Sequence, residues 1–568
     1  MAPDTEKRVP VNHSRLVTVI LPSLFFYLLF STKDVLDSYQ IDESFLHVVS
    51  ATNDIKENTS KAEQALPPFA NLSENSINVS LNKGQVRELF LSPGTEIDSR
   101  LFFKEKALKS VALRRRGDPA LNYMKRKEAL LDQGFTVGLQ RFGSWNECQL
   151  QLRRNASRYR KVDHFLCLSK SYCFDDNLYI SSERRGVRTD RILGQLEIWS
   201  NKKGLCRSFR SMLKPWTTEG LKWMKTFTFE CWVVPADNNE LEEKLSDKEY
   251  FKAPGWVFKP DTGGGGSGIY GVMDKNKVIN DINWWKKRKK TYVIQPMLTN
   301  PLLIKNRKFD LRTHVLVTSV SPMRIFVHSN GIVRFASQDF KANYTKSSRT
   351  AFLTNLSVGG KVAKTEDLSW SFEEFKHFLN EKADEVFNRI DVAIARALVA
   401  TEGKFKEKYT RIGNGTFGCR TCYQQIGIDI LLDADLRPYI MEINGNPMQN
   451  FKSKKVTDLC IQFQHDITKL LYGGVHGDIG RELVKDLEAL VPASETFDSF
   501  YSWLSMDHIE YLLRMKAELD NMNGFRVAYP PSDTKLSAGE TMDWASFLQH
   551  LEAPPERIKF HNLLMALK

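Results

Sequence analysis

The most informative segment of this sequence spans residues 292–317 and reads YVIQPMLTNPLLIKNRKFDLRTHVLV. Two apolar stretches, typical of buried strands, enclose a group of charged residues. Lys308, Asp310 and Arg312 alternate along the second stretch, so on a β-strand their side chains would lie on one face. A solvent-exposed strand with alternating charges would explain this segment by itself. Other segments must therefore distinguish a binding site from an ordinary surface.

A glycine-rich segment lies upstream, in residues 255–272, and reads GWVFKPDTGGGGSGIYGV. Lys259 follows an apolar strand pattern and precedes a glycine run that includes Gly265 and Gly266. The backbone N–H groups of such a loop can approach a phosphate closely, and the lysine can neutralise its charge. The segment matches neither the P-loop pattern nor G-x-G-x-x-G, and glycine-rich turns also serve as linkers. It indicates a phosphate site only together with the other segments.

The third segment, residues 426–447, reads IGIDILLDADLRPYIMEINGNP. Asp429 lies on one predicted strand, and Glu442 and Asn444 share a face of the next, with a DADLRP turn between the strands. A hairpin would bring these three side chains together. Carboxylate and amide oxygens suit Mg²⁺, which takes few protein ligands and completes its shell with water and nucleotide phosphates.

In order along the chain, these segments resemble the tubulin tyrosine ligase-like family. The chain carries the family patterns W-x-x-K-P, Q-x-x-x-x-x-P-L-L-I-x-x-x-K-F-D-L-R, L-T-N and G-x-D-x-x-x-D-x-x-x-x-P-x-x-x-E-x-N. The resemblance covers about half of the chain, from about residue 193 to residue 472. It implies an α+β fold with an ATP-grasp catalytic body, and an ATP- and Mg²⁺-dependent enzyme. That enzyme would join a free amino acid to a carboxylate of a protein through an acyl phosphate.

The resemblance also assigns roles to individual residues. It implies that Lys202 and Lys259 contact phosphates and that residues 295–298 form the hinge beside the adenine. Lys308 and Asp310 would lie on the ribose side. All residues placed around ATP are Lys202, Lys259, Gly265, Gly266, Gln295, Pro296, Met297, Leu298, Lys308, Asp310, Thr354 and Asn355. The resemblance places Arg312 and Arg334 at the acyl phosphate or the incoming amino acid. It places Asp429, Glu442 and Asn444 at Mg²⁺, and Glu442 is also expected to be catalytic.

The substrates are less narrowly defined than the nucleotide site. The resemblance favours glutamate or glycine over tyrosine as the added amino acid, and a protein with acidic residues, tubulin among the candidates, as the acceptor. The family usually has an arginine, linked with the acceptor, where this chain has Gly265-Gly266, so the acceptor stays open. The alternatives are a membrane-anchored nucleotide-binding pseudoenzyme or interaction protein, and a ligase that acts on a secretory-pathway substrate.

Composition excludes several protein classes. The chain has 568 residues, of which 42% are hydrophobic and 26% charged, which excludes collagen-like, low-complexity and wholly disordered chains. Its net charge of +13 favours acidic partners. The run WWKKRKK, residues 284–290, could be a solvated charged surface or bind an acidic protein acceptor. Nucleic acid is not expected as a partner, because no nucleic-acid-binding fold accompanies the run.

The N-terminal region carries one long apolar run, LVTVILPSLFFYLLF, in residues 16–30. Its length of roughly 22 Å as a helix suits a short signal anchor, and a cleaved signal peptide or a buried helix is the alternative. Basic residues precede it, which predicts a type II membrane protein with its catalytic domain in the lumen of the endoplasmic reticulum or Golgi. A cytosolic-facing domain is the other arrangement. The predicted layout is a cytosolic tail (1–15), an anchor (16–32), a stem with basic helices (33–130), the ATP-grasp domain (131–475) and a helical C-terminal extension (476–568).

Cysteine usage does not settle the compartment. The chain has eight cysteines, an even number that suits disulfides but is also ordinary for a cytosolic protein. Cys419 and Cys422 form a lone C-x-x-C, for which a disulfide or two buried thiols is favoured over zinc.

Glycosylation tests the predicted topology. Three N-x-S/T sequons cluster in the stem, at Asn58, Asn71 and Asn78, and another, at Asn355, falls in the T-N motif expected beside the phosphates. We expect glycans on the stem and none on Asn355, because a sugar there would occupy the nucleotide cleft. Mass spectrometry of protein from its native source checks this. A glycan on Asn355 would contradict an active ligase, and an unglycosylated chain would favour a cytosolic domain and tubulin as acceptor.

Overall fold

The computed structural model gives this chain a mixed α and β architecture, which confirms the predicted α+β class. The residues that it describes are 86–91, 109–115, 120–132, 136–142, 164–167, 187–246, 255–261, 265–341, 349–354, 368–411, 418–419, 421–447, 453–474, 477–531 and 543–567. All of them belong to one unit, Leu81–Lys568.

A small parallel sheet lies first along the chain. Its strands are β1 (Lys109–Arg115), β2 (Thr136–Phe142), β3 (His164–Cys167) and β4 (Arg188–Thr189), in the order β2-β1-β3-β4. The basic pattern around residues 95–130 predicted helices, and this is only partly correct, since β1 lies within it and a helix follows at Ala120–Asp132. The run SVALRR reads as a strand once neighbouring strands can pair with it on both sides, which a local pattern does not reveal.

A second, antiparallel sheet carries the glycine-rich segment. Its strands are β5 (Trp232–Val234), β6 (Trp256–Pro260), β7 (Tyr270–Val272) and β8 (Tyr292–Pro296), in the order β5-β8-β6-β7. Trp232, Trp256 and Phe258 are fully buried on one face, where Val278 and Ile282 of the helix Lys275–Lys287 pack against them. This apolar layer fixes the base of the glycine-rich loop between β6 and β7.

The largest sheet is antiparallel and carries the other two motifs. Its strands are β9 (Leu303–Ile304), β10 (Arg307–Val320), β11 (Met323–Phe335), β12 (Ser369–Ser371), β13 (Gln424–Leu432), β14 (Pro438–Asn444) and β15 (Phe525–Tyr529). The order is β12-β11-β10-β13-β14, with β15 paired to β11 and β9 to β10. Helices cover both faces, which explains why β10 is buried over almost its whole length, including its charged and polar residues.

The helices pack around these sheets. They are α1 (Val86–Leu91), α2 (Ala120–Asp132), α3 (Lys202–Leu213), α4 (Thr218–Lys225), α5 (Asn238–Ser246), α6 (Lys275–Lys287), α7 (Arg349–Phe352), α8 (Phe372–Leu379), α9 (Ala383–Val399), α10 (Glu402–Arg411), α11 (Lys454–Tyr472), α12 (Ile479–Glu488), α13 (Phe497–Phe500), α14 (Met506–Asp520), α15 (Trp544–His550) and α16 (Pro555–Ala566). A π-helical turn at Leu196–Ser200 leads into α3. Ile390 and Ile394 of α9 pack on one face of the largest sheet, and Phe463 and Ile467 of α11 pack on the other.

The region after residue 476 was predicted to be helical, and this is wrong in one respect that matters. Strand β15 pairs with β11 from Ile325 to His328, so the region completes the largest sheet. The Arg324 side chain is 2% exposed, and its Nε lies 2.5 Å from Glu518 Oε2 on α14. Arg557 on α16 pairs with Glu402 at 2.6 Å. The segment FRVAY is too short for its local pattern to predict a strand, and β11, with which it pairs, lies about 200 residues earlier in the chain.

The predicted membrane anchor and most of the predicted stem fall on parts of the chain that the structure does not describe. Residues 16–32 lie outside the described residues, as does the part of the stem before Val86. Among the helices that the structure does describe, none combines the length and the apolar character needed to span a bilayer. The anchor stays a prediction from the sequence.

The buried Arg324–Glu518 pair offers a stability test. We expect Glu518→Ala to lower the free energy of unfolding by about 3–5 kcal/mol, because it leaves a buried guanidinium without its partner. Chemical denaturation of the full chain measures this. The control is Glu488→Ala, since Glu488 pairs with Arg87 at 2.5 Å while both side chains are at least 41% exposed, and should cost less than about 1 kcal/mol. Equal losses in the two variants would mean that α14 does not brace the sheet through this pair.

Candidate functional site

A band of charged side chains crosses the largest sheet. Strand register places Asp310 of β10 opposite Arg334 of β11, and Arg312 of β10 opposite Asp429 of β13. Asp429 in turn lies opposite Glu442 of β14. The alternation predicted for β10 is therefore correct, and neighbouring strands extend its polar face into a continuous row. Side chains from four strands meet without any loop having to position them.

Two arginines and two aspartates form the centre of this band. Arg334 Nε donates to Asp310 Oδ1 at 2.6 Å, and its Nη2 lies 2.9 Å from Asp429 Oδ2. Arg312 also donates two hydrogen bonds to Asp429, one of them at 3.0 Å. All four side chains are almost fully buried. Arg334 therefore joins the two carboxylates, which the sequence did not predict.

The electrostatics of this centre fix its charge state. Burial alone would raise the pKa of Asp429, but Arg312 and Arg334 outweigh burial and hold that pKa well below its usual range. Burial lowers the pKa of Arg334, but Asp310 and Asp429 reverse the effect and raise it. Asp429 and Arg334 thus stay ionised over the whole physiological pH range.

The predicted Mg²⁺ ligands lie at the next position along the band. Asn444 Nδ2 donates to Glu442 Oε1 at 3.2 Å, and Lys202 Nζ lies 3.7 Å from Glu442 Oε2. Among the described residues, no three His, Cys, Asp or Glu side chains gather at one point. A cation here would be held by Asp429, Glu442 and the amide of Asn444, and it would need oxygens from substrate or water. That donor set fits Mg²⁺, which is commonly bound in this way.

Two buried lysines face the same region from different strands. Lys259 Nζ donates to Gln295 Oε1 at 2.6 Å and reaches the Met441 carbonyl at 3.4 Å. Burial lowers the pKa of Lys259 to about 8, an effect that Lys202 and Lys308 strengthen and Glu442 and Asp429 oppose. Burial likewise lowers the pKa of Lys308 to about 8, against the pull of Asp310. Neither lysine is paired with a carboxylate at salt-bridge distance among the described residues.

The charge of the site is unbalanced. Lys202, Lys259, Lys308, Arg312 and Arg334 supply five positive charges, whereas Asp310, Asp429 and Glu442 supply three negative charges, which leaves an excess of two. Buried cations that lack counter-ions are costly unless a ligand neutralises them. The site is therefore suited to a polyanion such as a nucleoside triphosphate.

The predicted hinge lies at the C-terminal end of β8, an interior strand of the second sheet. Gln295 pairs with Val257, and the Met297 N–H donates to the Gly255 carbonyl at 2.9 Å. Met297 is 7% exposed and packs with Phe352 of α7, while Pro296 and Leu298 are half-buried. The segment leads from β8 of the second sheet towards β9 of the largest sheet.

The remaining predicted residues are only partly described. Thr354 donates a hydrogen bond to Asp310, so it does lie beside the charged band. Gly265 and Gly266 both have positive φ, 62° and 75°, a conformation that favours glycine. Asn355 and residues 262–264 of the glycine loop lie outside the described residues.

The sequence analysis missed three contributors. Asp261 follows the lysine strand, and its carboxylate accepts from the Lys203 N–H at 3.1 Å and lies 3.3 Å from Lys203 Nζ. Asn201 caps α3 by accepting from the N–H groups of Lys203 and Gly204. Phe352 lies under Lys308, whose Nζ is 3.9 Å from the ring centre. An Asn just before Lys-Lys-Gly is a helix-start signal that could have revealed the cap.

Two disulfides occur in the described part of the chain. Cys206 of α3 is bonded to Cys231, which directly precedes β5, with Cα atoms 6.0 Å apart. Cys419 is bonded to Cys422, as favoured over zinc, and Cys460 is buried and belongs to neither of these two bonds. The first bond ties the helix that begins with Lys202 to the sheet that carries Lys259.

Comparison with known proteins agrees with the geometry. Residues 195–475 match the tubulin-tyrosine ligase family. The chain is 25% identical to tubulin polyglutamylase ttll6 of Danio rerio over 53% of this chain and 35% of that protein. It is 26% identical to the probable tubulin polyglutamylase ttll-9 of Caenorhabditis elegans over 50% of this chain and 66% of that protein. Tubulin monoglutamylase TTLL4 of Mus musculus is 28% identical over 42% of this chain and 20% of that protein. The chain thus spans less than two thirds of each of these three relatives.

The two lowered lysine pKa values predict how nucleotide binding depends on pH. Both lysines are protonated below pH 8 and lose their charge above it, so binding of a phosphate chain must take up protons above that pH. We expect log Kd for ATP to be flat below about pH 7.5 and to rise above pH 8 with a slope between one and two. Titration calorimetry in buffers of different ionisation enthalpy measures the proton uptake. Lys259→Arg should reduce the slope, and a flat profile up to pH 10 would exclude these lysines from phosphate binding.

Proposed function

Since residues 195–475 belong to the tubulin-tyrosine ligase family, we propose that the chain is an ATP- and Mg²⁺-dependent ligase that joins glutamate to a carboxylate of an acidic protein. The observation that carries this proposal is the charged band of β10, β11, β13 and β14, with its pair of facing carboxylates, together with the two excess positive charges that Lys202 and Lys259 add beside it. Glutamate is preferred to glycine and tyrosine because the related proteins are named for adding glutamate.

The described side chains suit each requirement of this reaction. Lys202, Lys259 and Lys308 would neutralise the phosphates of ATP, and the segment around Met297 would hold the adenine. Mg²⁺, held by Asp429, Glu442 and Asn444, would draw negative charge from the transferred phosphoryl group. The acceptor carboxylate attacks the γ-phosphorus, and ADP leaves. The amine of glutamate then attacks the resulting acyl phosphate, releasing phosphate and a proton and forming an amide.

A positioning role is part of this proposal for Arg312 and Arg334. The sequence predicts that both face the acyl phosphate or the amino acid, and this stays a prediction. Both arginines hold Asp429, and Arg334 also holds Asp310. We assign them first to positioning Asp429 and keeping it ionised for the cation. Any contact with substrate would use the guanidinium N–H groups that these pairs leave available.

The compartment belongs to the same proposal. Disulfides are rare in the cytosol and common in the secretory pathway. The Cys206–Cys231 bond within the catalytic domain therefore favours a lumenal domain behind an anchor at residues 16–32. A lumenal ligase would act on an acidic secretory-pathway protein, whereas tubulin would be the acceptor of a cytosolic-facing one.

The decisive experiment supplies the purified full chain with ATP, Mg²⁺ and labelled glutamate. The acceptors are tubulin and a glutamate-rich peptide, and mass spectrometry should detect an added glutamate residue on at least one of them. Glu442→Gln should reduce the rate at least a hundredfold, because it removes one charge from the cation site. The control Glu381→Gln, at an exposed position, should be unaffected. ATP binding without any ligation under these conditions would favour the pseudoenzyme alternative.

A further inference from the structure

A cluster of five consecutive cations begins in the last turn of α6, the helix that covers the second sheet, and continues beyond its end. Lys286, Lys287, Arg288, Lys289 and Lys290 are all exposed, and we call them the basic run. Among the residues that the structure describes, none of the five has a carboxylate within salt-bridge distance. The last turn of a helix favours one or two cations through the helix dipole, but Lys289 and Lys290 lie beyond α6. Helix stability therefore does not account for the run.

The basic run rests on a rigid base. Trp285 Nε1 donates to the Tyr270 hydroxyl at 2.9 Å, and the Trp285 ring stacks on Tyr292 with centroids 4.4 Å apart. Arg288 lies over the Trp284 ring at 3.5 Å. Trp284 itself is 44% exposed. The cations are thus held at a fixed place on the surface beside an exposed aromatic ring.

That place adjoins the catalytic cleft. Lys290 is separated from β8 only by Thr291, and Val293, three residues after Lys290, lies opposite Lys259. Three strand residues span about 10 Å, so the run ends within reach of Lys259. In addition, the Asp261 N–H donates to the Thr291 carbonyl at 3.3 Å, which places the end of the run at the base of the glycine loop.

We propose that the basic run and Trp284 form a docking surface for the protein acceptor. They would bind the acidic segment of the acceptor that flanks the modified carboxylate. This inference rests on the proposed function, because that function places the acceptor carboxylate at the cleft next to the run. Unpaired cations at the rim attract an acidic segment, raise its local concentration and orient it towards the phosphates. A nucleic acid is disfavoured, since Arg288 covers one face of Trp284, the ring that would have to stack on bases.

The test replaces Lys286, Lys287, Lys289 and Lys290 by glutamine. Arg288 is kept because it packs on Trp284, and at Lys289, where φ is 51°, glutamine adds no strain that lysine lacks. We expect at least a tenfold weaker binding of a fluorescent glutamate-rich peptide, measured by anisotropy in low salt, and a shallower salt dependence. The kcat/KM for a long acidic acceptor should fall by a similar factor, while the KM for ATP changes less than twofold.

A matched control removes the same charge from other exposed positions. It replaces Lys222, Lys225, Lys469 and Lys485 by glutamine, which lowers the net charge equally and should change peptide binding less than twofold. Equal losses in both variants, or none in the first, would overturn the proposal. So would a basic run that binds a DNA or RNA oligonucleotide but not the peptide. Peptide binding through the run without ligation by the wild type would instead refute the proposed function and leave the docking surface standing.

Discussion

The Arg334 guanidinium, shared between Asp310 and Asp429, is the contact on which the candidate site depends. It joins side chains from three adjacent strands, and it can do so only if all three strands keep their register. A slip of one residue would turn each of these side chains to the opposite face of the sheet, into the apolar layer of α9. The cost of burying an unpaired charge therefore penalises incorrect registers, and the ion pairs of the candidate site also specify how the sheet assembles.

Much of this arrangement follows from the sequence. The alternation of Lys308, Asp310 and Arg312 predicts a single polar strand face, and the hairpin of residues 426–447 predicts that Asp429 meets Glu442. What the sequence does not reveal is which long-range neighbours these residues acquire. The bridge from Arg334 to both aspartates depends on a strand register between segments far apart in the chain, and Asp261 and Phe352 act on lysines from other elements. Local sequence patterns predict which side chains share a strand face and where turns occur. The long-range contacts of these side chains depend on the topology of the fold.

The same reasoning explains where the prediction of architecture was incomplete. Residues 109–115 carry mixed charge and apolar character that suits a helix face, and they become a strand because β2 and β3 flank them. FRVAY, at β15, is similarly ambiguous until the edge of β11 is available. Both are cases in which backbone pairing offered by the rest of the fold outweighs the weak preference of a short segment. The C-terminal helices, which sequence alone leaves as a brace or a partner surface, are seen to brace the sheet through Arg324 and Glu402.

The position of β15 near the end of the chain affects how the protein folds during its synthesis. A ribosome delivers residues 307–335, which form β10 and β11, long before it delivers residues 525–529. Until then the nascent chain presents the Ile325–His328 stretch of β11 as an open sheet edge, the kind of surface that pairs with other chains and attracts chaperones. A messenger that ends early, even after every nucleotide-binding motif has been translated, would yield a chain with that edge unprotected. Quality control can thus distinguish finished from unfinished molecules by a single missing strand.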